Sequence, residues 1–185
     1  MKGGNIILVG FMGSGKTAVG RALARLTGKT MIDLDSIIED RERMSIAAIF
    51  KKYGEQHFRD IEHREVRAIS HASSSVVAVG GGAAVFSRNR VWLRKAGIVV
   101  YLRVPLAVLV SRLLRSRRRP LLKPAGGSKP AVKRIVRALL RKRVGAYIRT
   151  AHITVNGGNG NTGTVARRII EQVKSKYGGR YLAGM

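Results

Sequence analysis

Apolar residues along the chain fall into two alternating kinds of run. Short continuous runs, Ile6–Val9, Thr30–Asp33, Ser75–Val79, Ile98–Leu102 and His152–Val155, have the length and β-branched content of strands buried on both faces. Between them the apolar positions recur every three to four residues. That period predicts helices over Thr17–Leu26, Ser36–Arg43, Ser45–Ser70, Ser87–Lys95, Leu106–Leu114 and Lys129–Ile148, with a last one over Thr164–Tyr177. Strands separated by helices imply parallel βαβ units with right-handed crossovers. The expected class is therefore α/β, a three-layer sandwich with a five-stranded parallel sheet and helices on both faces.

The alternation runs through residues 1–177 without an internal repeat or a linker, so one domain is expected, with a loosely ordered tail over 178–185. The one long breaker-rich stretch is Pro120 to Pro130, which contains Lys123-Pro124-Ala125-Gly126-Gly127-Ser128. It reads as a mobile loop over a site. In an open parallel sheet, ligands sit outside the carboxyl ends of the strands, and each strand here ends in something polar or backbone-exposing.

After the first strand comes Gly10-Phe11-Met12-Gly13-Ser14-Gly15-Lys16-Thr17, the spacing of a phosphate-binding loop. Its glycines let successive N–H groups curl around an anion, and the following helix aims its positive dipole end at the same point. Gly13, Ser14, Gly15, Lys16, Thr17 and Ala18 are the expected nucleotide contacts. Lys16 would reach the terminal phosphates, and the Thr17 hydroxyl would hold a magnesium ion between them.

Asp33 and Asp35 are two apart at the end of the second strand, so both side chains are expected on the same face. One carboxylate suits magnesium through its waters, and the other suits a substrate hydroxyl. Alternatively, Asp35 caps the helix beginning at Ser36. Gly80-Gly81-Gly82 follows the third strand, where bare backbone lets a small ligand approach. No carboxylate ends that strand, which leaves Asp33 as the best magnesium partner. Arg59 in Gly54-Glu55-Gln56-His57-Phe58-Arg59, Arg119 in Arg-Pro-Leu-Leu, and Arg143 stand out by context, since a guanidinium fork suits carboxylate or phosphate. Phe58 would be an apolar wall beside Arg59. His57, His63, His71 and His152 show no metal spacing, and Phe50, Phe86 and Trp92 read as core.

Composition changes this picture in one respect. With 36 Lys and Arg against 10 Asp and Glu, the net charge is +26, which raises a nucleic-acid partner. The basic stretches lack an array of stacking aromatics, which argues against a nucleotide-gated nucleic-acid-binding protein. There are no cysteines, hence no disulfide framework or thiolate site. The first residues carry no secretory h-region and no stretch is long enough to span a bilayer, so a soluble, cytoplasmic protein is expected.

Taken together, Gly-Phe-Met-Gly-Ser-Gly-Lys-Thr (10–17), Asp-Leu-Asp (33–35), Gly-Glu-Gln-His-Phe-Arg (54–59), Gly-Gly-Gly (80–82) and Arg-Pro-Leu-Leu (119–122) resemble the shikimate kinase family from about Asn5 to Val173. The resemblance implies a P-loop kinase, monomeric, that transfers the ATP γ-phosphoryl group to the 3-hydroxyl of shikimate with Mg2+. It implies a substrate-binding segment over about 35–64 and a lid over about 112–127. By matching position, Asp33 orders the magnesium shell and Asp35 orients the shikimate hydroxyls. Arg59 and Arg143 grip its carboxylate, while Gly80, Gly81 and Gly82 line its ring. Arg112 lies against the adenine and Arg119 swings in on the lid. The chain departs from the family at Gly145-Ala146-Tyr147, where Pro-Leu-Tyr is usual, and at His152, where an acidic residue is common. A gluconate-kinase-like acceptor is the competing enzymatic reading, opposed by the Gly54–Arg59 motif and the triple glycine.

Overall fold

The computed structural model describes residues 4–115, 128–158 and 160–182. Five strands, β1 (Ile6–Val9), β2 (Thr30–Asp33), β3 (Ser75–Ala78), β4 (Ile98–Arg103) and β5 (Ile153–Asn156), form one sheet in the order β2-β3-β1-β4-β5. All four pairings are parallel. The helices are α1 (Lys16–Thr27), α2 (Leu34–Glu42), α3 (Ile46–Ile69), α4 (Ser87–Ala96), α5 (Leu106–Leu114), α6 (Lys129–Thr150) and α7 (Thr162–Tyr177).

Alternation along β1 divides the core in two. Ile7 and Val9 pack with α2 to α6, while Ile6 and Leu8 pack with α1 and α7. Both faces of the central strands are thus dry, which explains why the strands read as continuous apolar runs. The three-layer α/β expectation holds. No helix among the described residues is long and apolar enough to cross a membrane.

Three local readings change. The stretch predicted as one helix from Ser45 is bent at Gly54, whose φ of 82° breaks the helical run between Tyr53 and Glu55. Helix α2 starts at Leu34, two residues early, because Asp33 caps it by accepting the Asp35 N–H at 3.1 Å. Asp35 is therefore neither the cap nor a strand residue; it sits in the first helical turn. The tail does not run loose as far as Leu182: Gly179–Tyr181 forms a 3₁₀ turn, and Tyr181 is buried edge-on against Tyr177 with ring centres 5.9 Å apart.

His152 has a packing role of unusual form. Its backbone N–H donates to the Val99 carbonyl at 2.8 Å, and its ring Nδ1 accepts the Val99 N–H at 2.9 Å. The ring thus replaces a ladder acceptor at the start of β5 and must be neutral to do so. Burial foremost, then the charges of Arg94 and Lys176, holds its pKa below the usual histidine value. The unfolded chain binds a proton at about pH 6.5 that the folded chain refuses, so stability is lost as pH falls through about 6.5. Urea unfolding is expected to show a steeper loss from about pH 7.5 to about pH 5.5 in the native chain than in His152→Asn, which keeps an acceptor that cannot titrate. Identical slopes would remove this role.

Candidate active site

The phosphate loop occupies the turn between β1 and α1. Gly13 and Gly15 have φ of 77° and 92°, values that L side chains rarely adopt, and Gly15 is the N-cap of α1 without any side-chain cap. The first N–H groups of α1 are thereby left facing the loop's concavity. Lys16 folds across it, its Nζ donating to the carbonyls of Gly10 at 3.0 Å and Phe11 at 3.2 Å. The Ser14 hydroxyl is buried with no hydrogen-bond partner among the described residues. Ala18 lies exposed in the first turn of α1. Arg112, at the end of α5, donates to the carbonyls of Ser14 at 3.2 Å and Gly13 at 3.3 Å, and to Gly157 after β5 at 3.4 Å. It ties the loop to the far edge of the sheet.

Thr17 and Asp33 meet between α1 and β2. The Thr17 hydroxyl donates to Asp33 Oδ2 at 2.7 Å, while Oδ1 caps α2. Two hard oxygen donors beside a phosphate loop fit a magnesium ion, which keeps most of its shell as water and phosphate. No group of three or more His, Cys, Asp or Glu suited to a metal occurs among the described residues.

Opposite the loop, Gly80, Gly81 and Gly82 thread through a gap with no room for side chains. A Cβ on Gly80 would stand 2.8 Å from Asp35 Oδ1 and 3.0 Å from Glu62 Oε1. One on Gly81 would lie 3.3 Å from the Met12 nitrogen in the phosphate loop, and one on Gly82 would lie 2.6 Å from Arg59 Nη1. A methyl group on these three consecutive residues would thus crowd, in turn, the Asp35 and Glu62 carboxylates, the phosphate loop and the Arg59 guanidinium. This run brings the predicted site residues together.

Arg59 is held from all sides, with only 11% of its side chain exposed. It pairs with Glu62 at 3.0 Å and Glu55 at 2.9 Å, and the rings of Phe50, Phe58 and Phe86 surround it at 5.8, 5.1 and 4.9 Å. Phe58 is buried beside Arg59, its ring tilted 33° against Phe50 with ring centres 4.6 Å apart. Glu62 is buried, and burial raises its pKa against the opposing pull of Arg59, with Asp35 adding to the rise. Arg143 joins the same field: it bears on Glu62 and Tyr147, and its guanidinium lies over the Phe11 ring at 5.8 Å. Tyr147 is fully buried and donates to the Gly81 carbonyl at 2.5 Å. Burial pushes its phenol well above the usual tyrosine range. Sequence reasoning gave Glu62 and Tyr147 no role in the site; the i, i+3 spacing of Arg59 and Glu62, and the tyrosine that Gly145-Ala146-Tyr147 shares with the family's Pro-Leu-Tyr, were the available signals. Arg119 and most of the expected lid, 116–127, lie outside the described residues.

A family model described as shikimate kinase matches residues 12–174. The shikimate kinase of Geobacter sulfurreducens is 51% identical over 121 residues, which cover 65% of this chain and 67% of that protein. The shikimate kinase of Nitrosomonas europaea is 39% identical over 171 residues, 92% of this chain and 79% of that one. Among solved structures, shikimate kinase from Acinetobacter baumannii in complex with shikimate matches with a TM-score of 0.88 at 36% identity, covering 95% and 96% of the two chains. With a family model over residues 12–174 and relatives aligned along nearly all its length, the chain belongs to the shikimate kinase family, ATP-dependent phosphotransferases on a P-loop α/β fold.

Proposed function

We propose that the chain phosphorylates the 3-hydroxyl of shikimate within one domain spanning residues 1–177, with a substrate-binding segment over about 35–64 and a lid over about 112–127. The observation that carries this reading is the Arg59 fork, locked by Glu62 and three phenylalanines one residue from backbone that touches the phosphate loop. A carboxylated ring bound there lies with its hydroxyls toward Asp35 and the loop. The relative solved with shikimate supports that choice of acceptor.

The roles follow from chemistry. The first N–H groups of α1 and Lys16 cradle the terminal phosphates, with Gly13, Ser14, Gly15 and Ala18 around them and Arg112 flanking the nucleotide. Thr17 and Asp33 would hold Mg2+, which would offset the negative charge of the terminal phosphates. Asp35 accepts a hydrogen bond from the acceptor hydroxyl and orients it. Phosphoryl transfer has a loose transition state, so orientation matters more than full deprotonation. Arg59 and Arg143 bind the carboxylate, while Gly80, Gly81 and Gly82 lie along the ring. Arg119 enters from the lid to neutralise charge on the transferring group, and closure excludes water as a rival acceptor. We further propose that the enzyme is monomeric and acts in the cytoplasm, where ATP is supplied.

A panel of acceptors assayed by ADP release tests the assignment: turnover is expected with shikimate and not with gluconate, and the reverse would overturn it. Arg59→Ala is expected to raise the shikimate KM about 10- to 100-fold, the worth of one or two charge-assisted bonds, while the ATP KM stays within about twofold. Because Glu62 loses its buried partner in that variant, circular dichroism accompanies the kinetics. Equal effects on both substrates would count against the role. Arg119→Ala is expected to lower kcat by roughly 10³- to 10⁵-fold, as for other arginines on a transferring phosphate. Near-normal turnover would remove Arg119 from the reaction.

A further inference from the structure

The net charge of +26 is unevenly distributed. Nine of the ten carboxylates fall between Asp33 and Glu65, among six Lys and Arg, whereas residues 66–185 hold 25 Lys and Arg against Glu171 alone. The named ion pairs follow the carboxylates, joining Arg41, Arg59, Arg64 and Arg88 to acids between Glu42 and Glu65. The rest of the surface has little fixed counter-charge on its own chain.

That excess is most ordered on α6. Lys129, Lys133, Arg137 and Arg141 recur at every fourth position, so they form one exposed row with successive residues about 6 Å apart along the axis. Arg134 and Lys142 lie exposed beside the row, and Arg103 at the end of β4 borders the same cleft as Arg137 and Arg141. The helix contains no acid, and none of these seven cations has an ion-pair partner among the described residues. Each like-charged i, i+4 pair destabilises the helix. Lys129 is worse placed still, at the positive end of the helix dipole, behind an N-cap Ser128 that makes no side-chain cap bond. The site described above uses none of these residues. Arg143, which it does use, points to the other side of the helix, over Phe11.

A row of cations with such spacing and no internal partner complements a regular line of phosphates. The exposed face of α6 bears no aromatic for stacking bases, which disfavours single strands. Nor does it bear the apolar side chains that would enter a bilayer, Ile148 being its one large exposed apolar residue. We infer that the Lys129–Lys142 face of α6 binds duplex nucleic acid through its phosphate backbone, without sequence preference. Binding would release counterions from the duplex, so affinity would fall steeply with salt. This inference stands apart from the kinase chemistry.

The test is fluorescence anisotropy of a labelled random-sequence duplex of about 20 base pairs, titrated from about 0.05 to about 0.3 M salt. The native chain is expected to bind in the micromolar to 100 micromolar range near physiological salt, roughly the non-specific range. Replacing Lys133, Arg137, Arg141 and Lys142 together with Gln is expected to lower the slope of log affinity against log salt by about 3 to 4. Removing four exposed cations from α1 and α7 instead, Arg21, Arg25, Arg167 and Lys174, is expected to change it by less than about 1. Circular dichroism reports that each variant is folded, and Arg137→Gln with Arg141→Gln, expected to give about half the loss of slope, serves if the fourfold variant does not fold. Equal losses in the two fourfold variants, or no duplex binding by the native chain, would overturn the proposal. So would vesicles rich in anionic lipid that bind as tightly at matched salt with the same dependence on α6.

Discussion

Gly80 to Gly82 is where the two halves of the site are brought into contact, and it works by having no side chains. Each residue touches a different partner at a distance that a Cβ would violate or crowd: Asp35 and Glu62, the phosphate loop at Met12, and Arg59. The gap is fixed from behind, since Tyr147 on α6 holds the Gly81 carbonyl at 2.5 Å from the interior. A hydrogen bond of this kind contributes about 0.5–1.5 kcal/mol, so the contact is more than incidental packing. Through it α6, which carries Arg143, is tied to the same backbone that lies against Arg59.

Electrostatics in the site follow from this closeness. Arg59 sits between a buried carboxylate, Glu62, and an exposed one, Glu55, and its ring neighbours keep water away. The pair holds the fork in one orientation at a cost in desolvation, visible as the raised pKa of Glu62. Nearly all of the chain's acids are concentrated in this flank, which leaves α6 and its neighbours cationic without compensation. The substrate-binding flank and the basic surface are two consequences of one distribution of charge.

Much of this was legible in the sequence, because period and motif are local. The strands β1 and β2 and the helix α5 appear with the bounds that periodicity gives. What was not legible depends on three-dimensional neighbours. The bend at Gly54 hides inside an unbroken helical pattern. Asp33 competes with Asp35 for the cap, and only the position of the chain turn decides between them. Glu62 looks like any helical glutamate until its burial is seen, and the ring of His152 substitutes for a backbone acceptor, which no spacing announces. The tail from Gly178 reads as glycine-rich and loosely ordered, yet Tyr181 docks it against Tyr177. The charge of the chain argued for and against nucleic acid until the fold put four cations in one row.

The most direct test of the central claim is steady-state kinetics of Gly82→Ala with each substrate varied in turn. Gly82 has a φ of −97°, which alanine adopts freely, so the added methyl acts only through its approach to Arg59. The shikimate KM is expected to rise by at least about tenfold while the ATP KM stays within about twofold. An unchanged shikimate KM in a folded variant would show that the close approach of this backbone to the guanidinium does not shape the acceptor site.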